Sequence, residues 1–296
     1  MKKFRQAFGT YLALPFIFGI SILPHFILYG ISDFFFVLLY YLVGYRKKVI
    51  YNNLKNSFPE KSHKEIKSIQ RKFFRNLTDI TIETIKEFTI SKKSIKKRFK
   101  FTNPELFQHY YDKGKSVMML MGHYNNWEYG VSTPLWVPHQ CWAVYAKLGN
   151  EILNKYIVRV REKFGFTLYP MEKTYDVMLE HKQGNKLYMF MADQSPHHSK
   201  IKYWINFLNQ ETPVHIGAEK LSKMLDTVVI FIGIQRIKRG YYEITAQTLF
   251  EEPQKTKEHE ITNKYFEILE SIIIKKPENW LWSHKRWKYK KGIGYE

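Results

Sequence analysis

Ser116-Val117-Met118-Met119-Leu120-Met121-Gly122-His123-Tyr124-Asn125-Asn126-Trp127-Glu128 is the stretch on which the fold turns. Its first six residues form a short, continuous apolar run, the pattern of a strand buried on both faces of a sheet. Its last seven place a histidine, two asparagines and a glutamate immediately beyond that strand. In open α/β sheets ligands collect at the carboxyl ends of the strands, so His123 is the first candidate for chemistry. Glu128 follows five residues later. On an ideal helix that spacing turns through about 500°, which leaves the two side chains roughly 140° apart. They meet only if the segment begins as a loop and becomes helical near Asn126, a turn that Gly122 and the two asparagines permit. A histidine held by a carboxylate is a general base, because the carboxylate fixes the tautomer and stabilises the imidazolium.

Outward from this segment the chain alternates strand and helix. Cys141 to Tyr145, Lys186 to Met191, Tyr203 to Phe207 and Thr227 to Ile234 read as strands, and Tyr241 to Leu249 pairs with the last of them across Lys238-Arg239-Gly240. Asn150 to Phe164 (stopped by Gly165), His215 to Leu225 and Glu258 to Ile274 read as helices. The expectation is an α/β fold over 101–296, a single domain with a mostly parallel, mixed sheet flanked by helices. Residues 49–100 read as a basic helical region, with Ser62 capping the helix that carries the apolar spacing from Ile66 to Thr89.

Residues 1–48 read differently. Met1 to Arg5 is basic, Phe8 to Tyr45 is almost uncharged with Asp33 its only acid, and Arg46-Lys47-Lys48 closes the segment. A spanning helix needs roughly 20 apolar residues. This stretch exceeds one simple span, and Pro15, Gly19, Pro24 and Gly30 point to a kink or break. It is expected to be a hydrophobic membrane anchor: a tilted span, a re-entrant hairpin or a pair of helices lying in the interface.

The 296 residues carry 47 Lys and Arg against 27 Asp and Glu, a net charge of +20, which calls for an anionic partner such as phospholipid, nucleic acid or an acidic carrier protein. The single cysteine, Cys141, excludes a disulfide framework and a cysteine-based zinc site. His197 and His198 are metal-type residues without a third ligand at suitable spacing, and no metal or cofactor is expected. There is no phosphate loop, no dinucleotide fingerprint and no Gly-x-Ser-x-Gly elbow.

Four pieces, in order behind the hydrophobic N-terminus, carry a resemblance across nearly the whole chain. They are Gly122-His123 with Glu128, then Ala192-Asp193-Gln194, then Thr212-Pro213-Val214 with Gly217-Ala218, and finally Trp282-Ser283-His284-Lys285-Arg286-Trp287. Together they resemble the lipid A late acyltransferases, the lauroyl/myristoyl transferases of the wider lysophospholipid acyltransferase group. The resemblance implies acyl transfer from an acyl carrier protein or CoA thioester to a lipid hydroxyl. His123 would take the hydroxyl proton and Glu128 would hold and polarise it, with no acyl-enzyme. Backbone N–H groups near 123–126 would serve the oxyanion. Arg161, in Arg161-Glu162-Lys163-Phe164-Gly165, matches the family's helical arginine. Asp193 and Gln194 would organise the site, with Asn126 and Trp127 at its wall and Arg286 meeting a phosphate or the carrier's arm. Implied partners are acyl carrier protein, anionic lipid and a phosphorylated glycolipid acceptor, on the cytoplasmic side of a bacterial inner membrane. Two alternatives stay open: an O-acyltransferase acting on an aminolipid or lysophospholipid, and a basic, membrane-tethered binding protein. In the second, the aromatic and basic residues of 280–290 would stack on single-stranded nucleic acid.

Overall fold

The computed structural model describes residues 2–292. Nine strands form: β1 (Phe99–Phe101), β2 (Val117–Met121), β3 (Gln140–Tyr145), β4 (Thr167–Pro170), β5 (Lys186–Met191), β6 (Tyr203–Phe207), β7 (Gln210–Val214), β8 (Val228–Lys238) and β9 (Tyr241–Phe250). Seven of them make one sheet in the order β1-β9-β8-β2-β5-β3-β4, and β6 and β7 form a separate antiparallel hairpin. All pairings in the large sheet are parallel except β8 with β9. The α/β reading holds, with the sheet mostly parallel and its one antiparallel pair at the expected Lys238-Arg239-Gly240 hairpin.

β2 lies at the centre of the sheet, and all five of its residues are buried. Helices cover both faces, which is why this strand is apolar without alternation. Met118 and Leu120 join one hydrophobic cluster with Leu269 and Ile273, whereas Val117, Met119 and Met121 join another with Tyr129 and Phe107. Cys141 is buried within the second cluster. β4, β7 and the helices Glu105–Asp112 and Thr174–Glu180 are additions to the expected pattern.

Five α-helices precede the sheet among the described residues: α1 (Lys2–Ile22), α2 (His25–Val37), α3 (Lys47–Ser57), α4 (His63–Lys86) and α5 (Lys92–Arg98). The N-terminal segment breaks at Leu23-Pro24, while Pro15 lies inside α1. α2 continues through a π-helical turn, Leu38–Val43, that ends at Gly44 with φ 66°. His25–Val43 is the one segment among the described residues long and apolar enough to cross a membrane, by length and composition. Leu28, Ser32 and Phe36 form its buried stripe, at i, i+4 and i+8. That stripe lies on the rest of the protein through polar bonds as well. Ser32 Oγ donates to Asp79 (2.7 Å), Tyr29 Oη donates to Glu83 (2.8 Å), and Arg239 donates to Asp33 (2.8 Å). The opposite face exposes Phe26, Phe34 and Val37. Ser62 caps α4 as expected, and it does so as a capping box: its hydroxyl accepts from the Glu65 N–H, while the Glu65 carboxylate accepts from the Ser62 N–H.

Candidate active site

The strand register assembles the site. β2 and β5 are parallel neighbours in which Met121 and Met191 are Cα partners. His123 and Asp193 each lie two residues beyond those partners, so the chain brings them side by side. His123 Nδ1 is 2.6 Å from Asp193 Oδ1, and the His123 backbone N–H donates to Oδ2 of the same carboxylate at 2.9 Å. Trp280 Nε1 donates to Oδ2 as well, at 2.8 Å. With three donors on it, Asp193 is ionised although buried: burial acts to raise its pKa, but His123, the hydrogen bonds and Trp280 pull it down to about 2.

The carboxylate bonded to His123 is therefore Asp193, and not Glu128 as the resemblance implied. Residues 123–127 stay irregular, and a 3-10 helix begins only at Glu128. Asn125 occupies the left-handed region at φ 52°, a conformation asparagine tolerates better than most residues. The resulting turn carries Glu128 away to Arg161, whose Nη2 donates to it at 3.1 Å, and Trp127 Nε1 donates to the same carboxylate at 3.1 Å. Glu128 still reaches His123 through its charge. Burial of His123 disfavours the imidazolium, yet Asp193, and after it Glu128, outweigh burial and hold the pKa above its ordinary value, with Arg161 opposing.

The remaining ring nitrogen faces Gln194. His123 Nε2 lies 3.1 Å from Gln194 Nε2. A proton on Nδ1, donated to Asp193, leaves Nε2 as the acceptor of the Gln194 amide, which is the tautomer a general base needs. Trp127 stands edge-on to the imidazole at 5.3 Å.

Close packing explains the glycine before the histidine. A Cβ on Gly122 would stand 2.6 Å from Leu269 Cδ1 and 3.6 Å from Asp193 Oδ2. The asparagine after Asn125 is internal: Asn126 Nδ2 donates to the buried Glu83 carboxylate and its Oδ1 accepts from the Tyr129 N–H. It stabilises the turn and lies away from solvent, 0% exposed. Of the backbone amides expected to serve an oxyanion, His123, Tyr124 and Asn125 are engaged with Asp193, the Gly122 carbonyl and the Asn279 carbonyl.

The C-terminal tail closes around this centre. Leu281 N–H donates to the His123 carbonyl, and Ser195 N–H donates to His284 Nε2 at 3.1 Å. Burial first, then Arg286, keeps His284 neutral, with its pKa lowered to about 4. Arg286 does not reach the surface. It is 0% exposed, its guanidinium makes no hydrogen bond among the described residues, and it lies over the Phe266 ring at 6.0 Å. Its positive charge and the negative charge of Asp193 attract each other through the core. Trp280 and Trp282 are buried too, so this tail is not a platform on which nucleic-acid bases could stack.

Trp127, edge-on to the imidazole, also lines a narrow pocket of ≈ 40 Å³ together with Glu128, Val131, Arg161, Met189 and Met191 among others. An ion pair thus lines an otherwise largely apolar slot. The sequence drew Glu128 and Arg161 to the site but not to each other. Trp280, which holds the Asp193 carboxylate, lies in the aromatic and basic tail of 280–290 and had no assigned role.

A carboxylate-held imidazole at the carboxyl end of a mostly parallel sheet is an arrangement that general-base chemistry can use. The chain belongs to the bacterial lipid A biosynthesis acyltransferases, whose family pattern matches residues 2–289. It is accordingly an acyltransferase, of a family that associates with membranes and takes an acyl donor and a lipid acceptor. No curated protein matches the chain.

Proposed function

We propose that the protein moves a fatty acyl group from an acyl carrier protein thioester, or from acyl-CoA, onto a hydroxyl of a lipid A precursor. The pair formed by His123 Nδ1 and Asp193 Oδ1, 2.6 Å apart, is the observation that carries this reading. His123 Nε2, in place of its bond to Gln194, takes the proton of the acceptor hydroxyl as the oxygen attacks the thioester carbonyl. The tetrahedral intermediate collapses, the thiolate leaves, and the imidazolium returns the proton to the sulfur. No acyl-enzyme forms. Asp193 stabilises the imidazolium, and Glu128 orients Arg161 so that its guanidinium faces the developing oxyanion. The acyl chain takes the slot lined by Val131, Phe166, Met189 and Met191, two unbranched methionines that adapt to it by changing rotamer.

The same reading places the protein on the cytoplasmic face of a bacterial inner membrane. α1 and α2 rest in the interface, because the bonds of Tyr29, Ser32 and Asp33 tie α2 to the catalytic body while Phe26 and Phe34 face outward. The net charge of +20 suits anionic lipid, an acidic carrier protein and a phosphorylated acceptor alike. The test is transfer in mixed micelles from acyl carrier protein and CoA thioesters to a panel of acceptors, with products read by mass spectrometry. Acylation of a lipid A precursor supports the assignment. Acylation of an aminolipid or lysophospholipid in its place would reassign the acceptor.

A further inference from the structure

The geometry points to a second binding site: a pocket for the phosphate headgroup of an anionic membrane lipid, separate from the acyl slot and opening beside α2. The pocket holds ≈ 370 Å³ and shares no lining residue with the slot at Glu128 and Arg161. Five cations line it, Lys72, Arg75, Arg236, Arg239 and Lys276, against the carboxylates of Asp33, Asp79 and Glu278.

The acids do not cancel the bases one for one. Asp79 is spent on the wall itself: it accepts from Arg236 Nη2 at 2.7 Å and from Arg239 Nη2 at 2.6 Å, while Arg236 Nη1 donates to Asn76 Oδ1 at 3.2 Å. Asp33 also accepts from Arg239, at 2.8 Å. These bonds fix two guanidinium forks in place, the preorganisation that phosphate oxygens recognise. Lys72, Arg75 and Lys276 form no ion pair among the described residues, and the Arg75 guanidinium lies over the Phe36 ring of α2 at 4.5 Å. An anion entering the pocket meets cations that no carboxylate holds.

Position selects a lipid as the source of that anion. Asp33 belongs to α2, whose outward face exposes Phe34 (65%) and Phe35 (38%) next to it in the chain. A phosphate in the pocket leaves its acyl chains against that apolar face. The pocket also borders the catalytic loop, since Asn279, one of its lining residues, accepts the Asn125 N–H through its carbonyl at 2.9 Å. Binding here needs no acyl transfer, so the site stands apart from the assignment of the reaction.

The test uses the full chain in a nonionic detergent, titrated calorimetrically with short-chain phosphatidic acid, short-chain phosphatidylcholine and inorganic phosphate. Phosphatidic acid is expected to bind at least about tenfold more tightly than either of the others. Lys72→Gln and Arg75→Gln, both at exposed positions, are expected to weaken it about fivefold each, with the thermal unfolding midpoint unchanged. Equal affinity for phosphatidylcholine, or unchanged affinity in the double variant, would overturn the site. Inorganic phosphate binding as tightly as phosphatidic acid would overturn the lipid as its occupant.

Discussion

His123 Nδ1 lies 2.6 Å from Asp193 Oδ1 because the two residues stand at the same offset beyond Met121 and Met191, which are Cα partners in adjacent parallel strands. The pair is thus a consequence of sheet register, seventy residues apart in the chain and fixed by the backbone.

Asp193→Asn keeps the shape of the side chain and removes its charge. The expected result is a fall in kcat/KM of about 10²–10⁴-fold. The pH profile is the sharper readout. Activity requires a neutral His123, so in the parent it rises as pH climbs through a pKa held above 6.5. Without the first and largest charge that opposes burial, that limb moves to lower pH in Asp193→Asn. An unmoved limb would show that Asp193 does not hold the base.

Glu128→Gln separates the two carboxylates. Glu128 bonds Arg161 and Trp127 and touches His123 only through its charge, behind Asp193 in strength. The acidic limb of the profile is expected to shift in the same direction as in Asp193→Asn, and by less. A larger shift in Glu128→Gln would restore Glu128 as the partner of the imidazole.

Asp193 also makes folding depend on pH. Its folded pKa, about 2, lies below the unfolded value near 3.9, so it contributes stability that is fully present above the unfolded pKa and lost as pH falls toward 2. His123 works with the opposite sign: its folded pKa is raised, so its contribution is present below 6.5 and fades as pH rises through the folded value. Denaturant unfolding from pH 2 to 5 is expected to show a shallower loss of stability in Asp193→Asn than in the parent. Parallel curves would contradict the low pKa.

Gly122→Ala places a methyl group 2.6 Å from Leu269 Cδ1, in the turn that lets Asp193 reach the His123 N–H. The expected cost is about 1–3 kcal/mol of stability, measured by equilibrium unfolding. A neutral outcome would mean that Leu269 has room to change rotamer.

Much of this fold is readable from the chain. β2, β3, β5 and the β8–β9 hairpin declare themselves through apolar runs and a Lys-Arg-Gly turn, and Ser62 declares its helix as a cap. β4 is short, and β7 contains Pro213, so neither carries a strong strand pattern. At the site, the histidine was legible from its place after a buried strand. Its carboxylate was not. Glu128 is near in sequence, and nothing in the sequence alone states that β5 lies beside β2 with Met191 opposite Met121. Arg286 was expected to meet a phosphate or the carrier's arm, which needs an accessible guanidinium. The Trp280 and Trp282 side chains instead fold the tail inward and bury it. Long-range register and tail packing are tertiary facts, and both decided what a local motif could only suggest.

Acyl transfer by His123→Ala in the full chain, measured against the parent with the same thioester and lipid, is the most direct test of base catalysis at this site. The expected variant is folded, with an unfolding midpoint near the parent's and a rate lowered by several orders of magnitude. A folded His123→Ala protein that transfers acyl groups at close to the parent rate would contradict it.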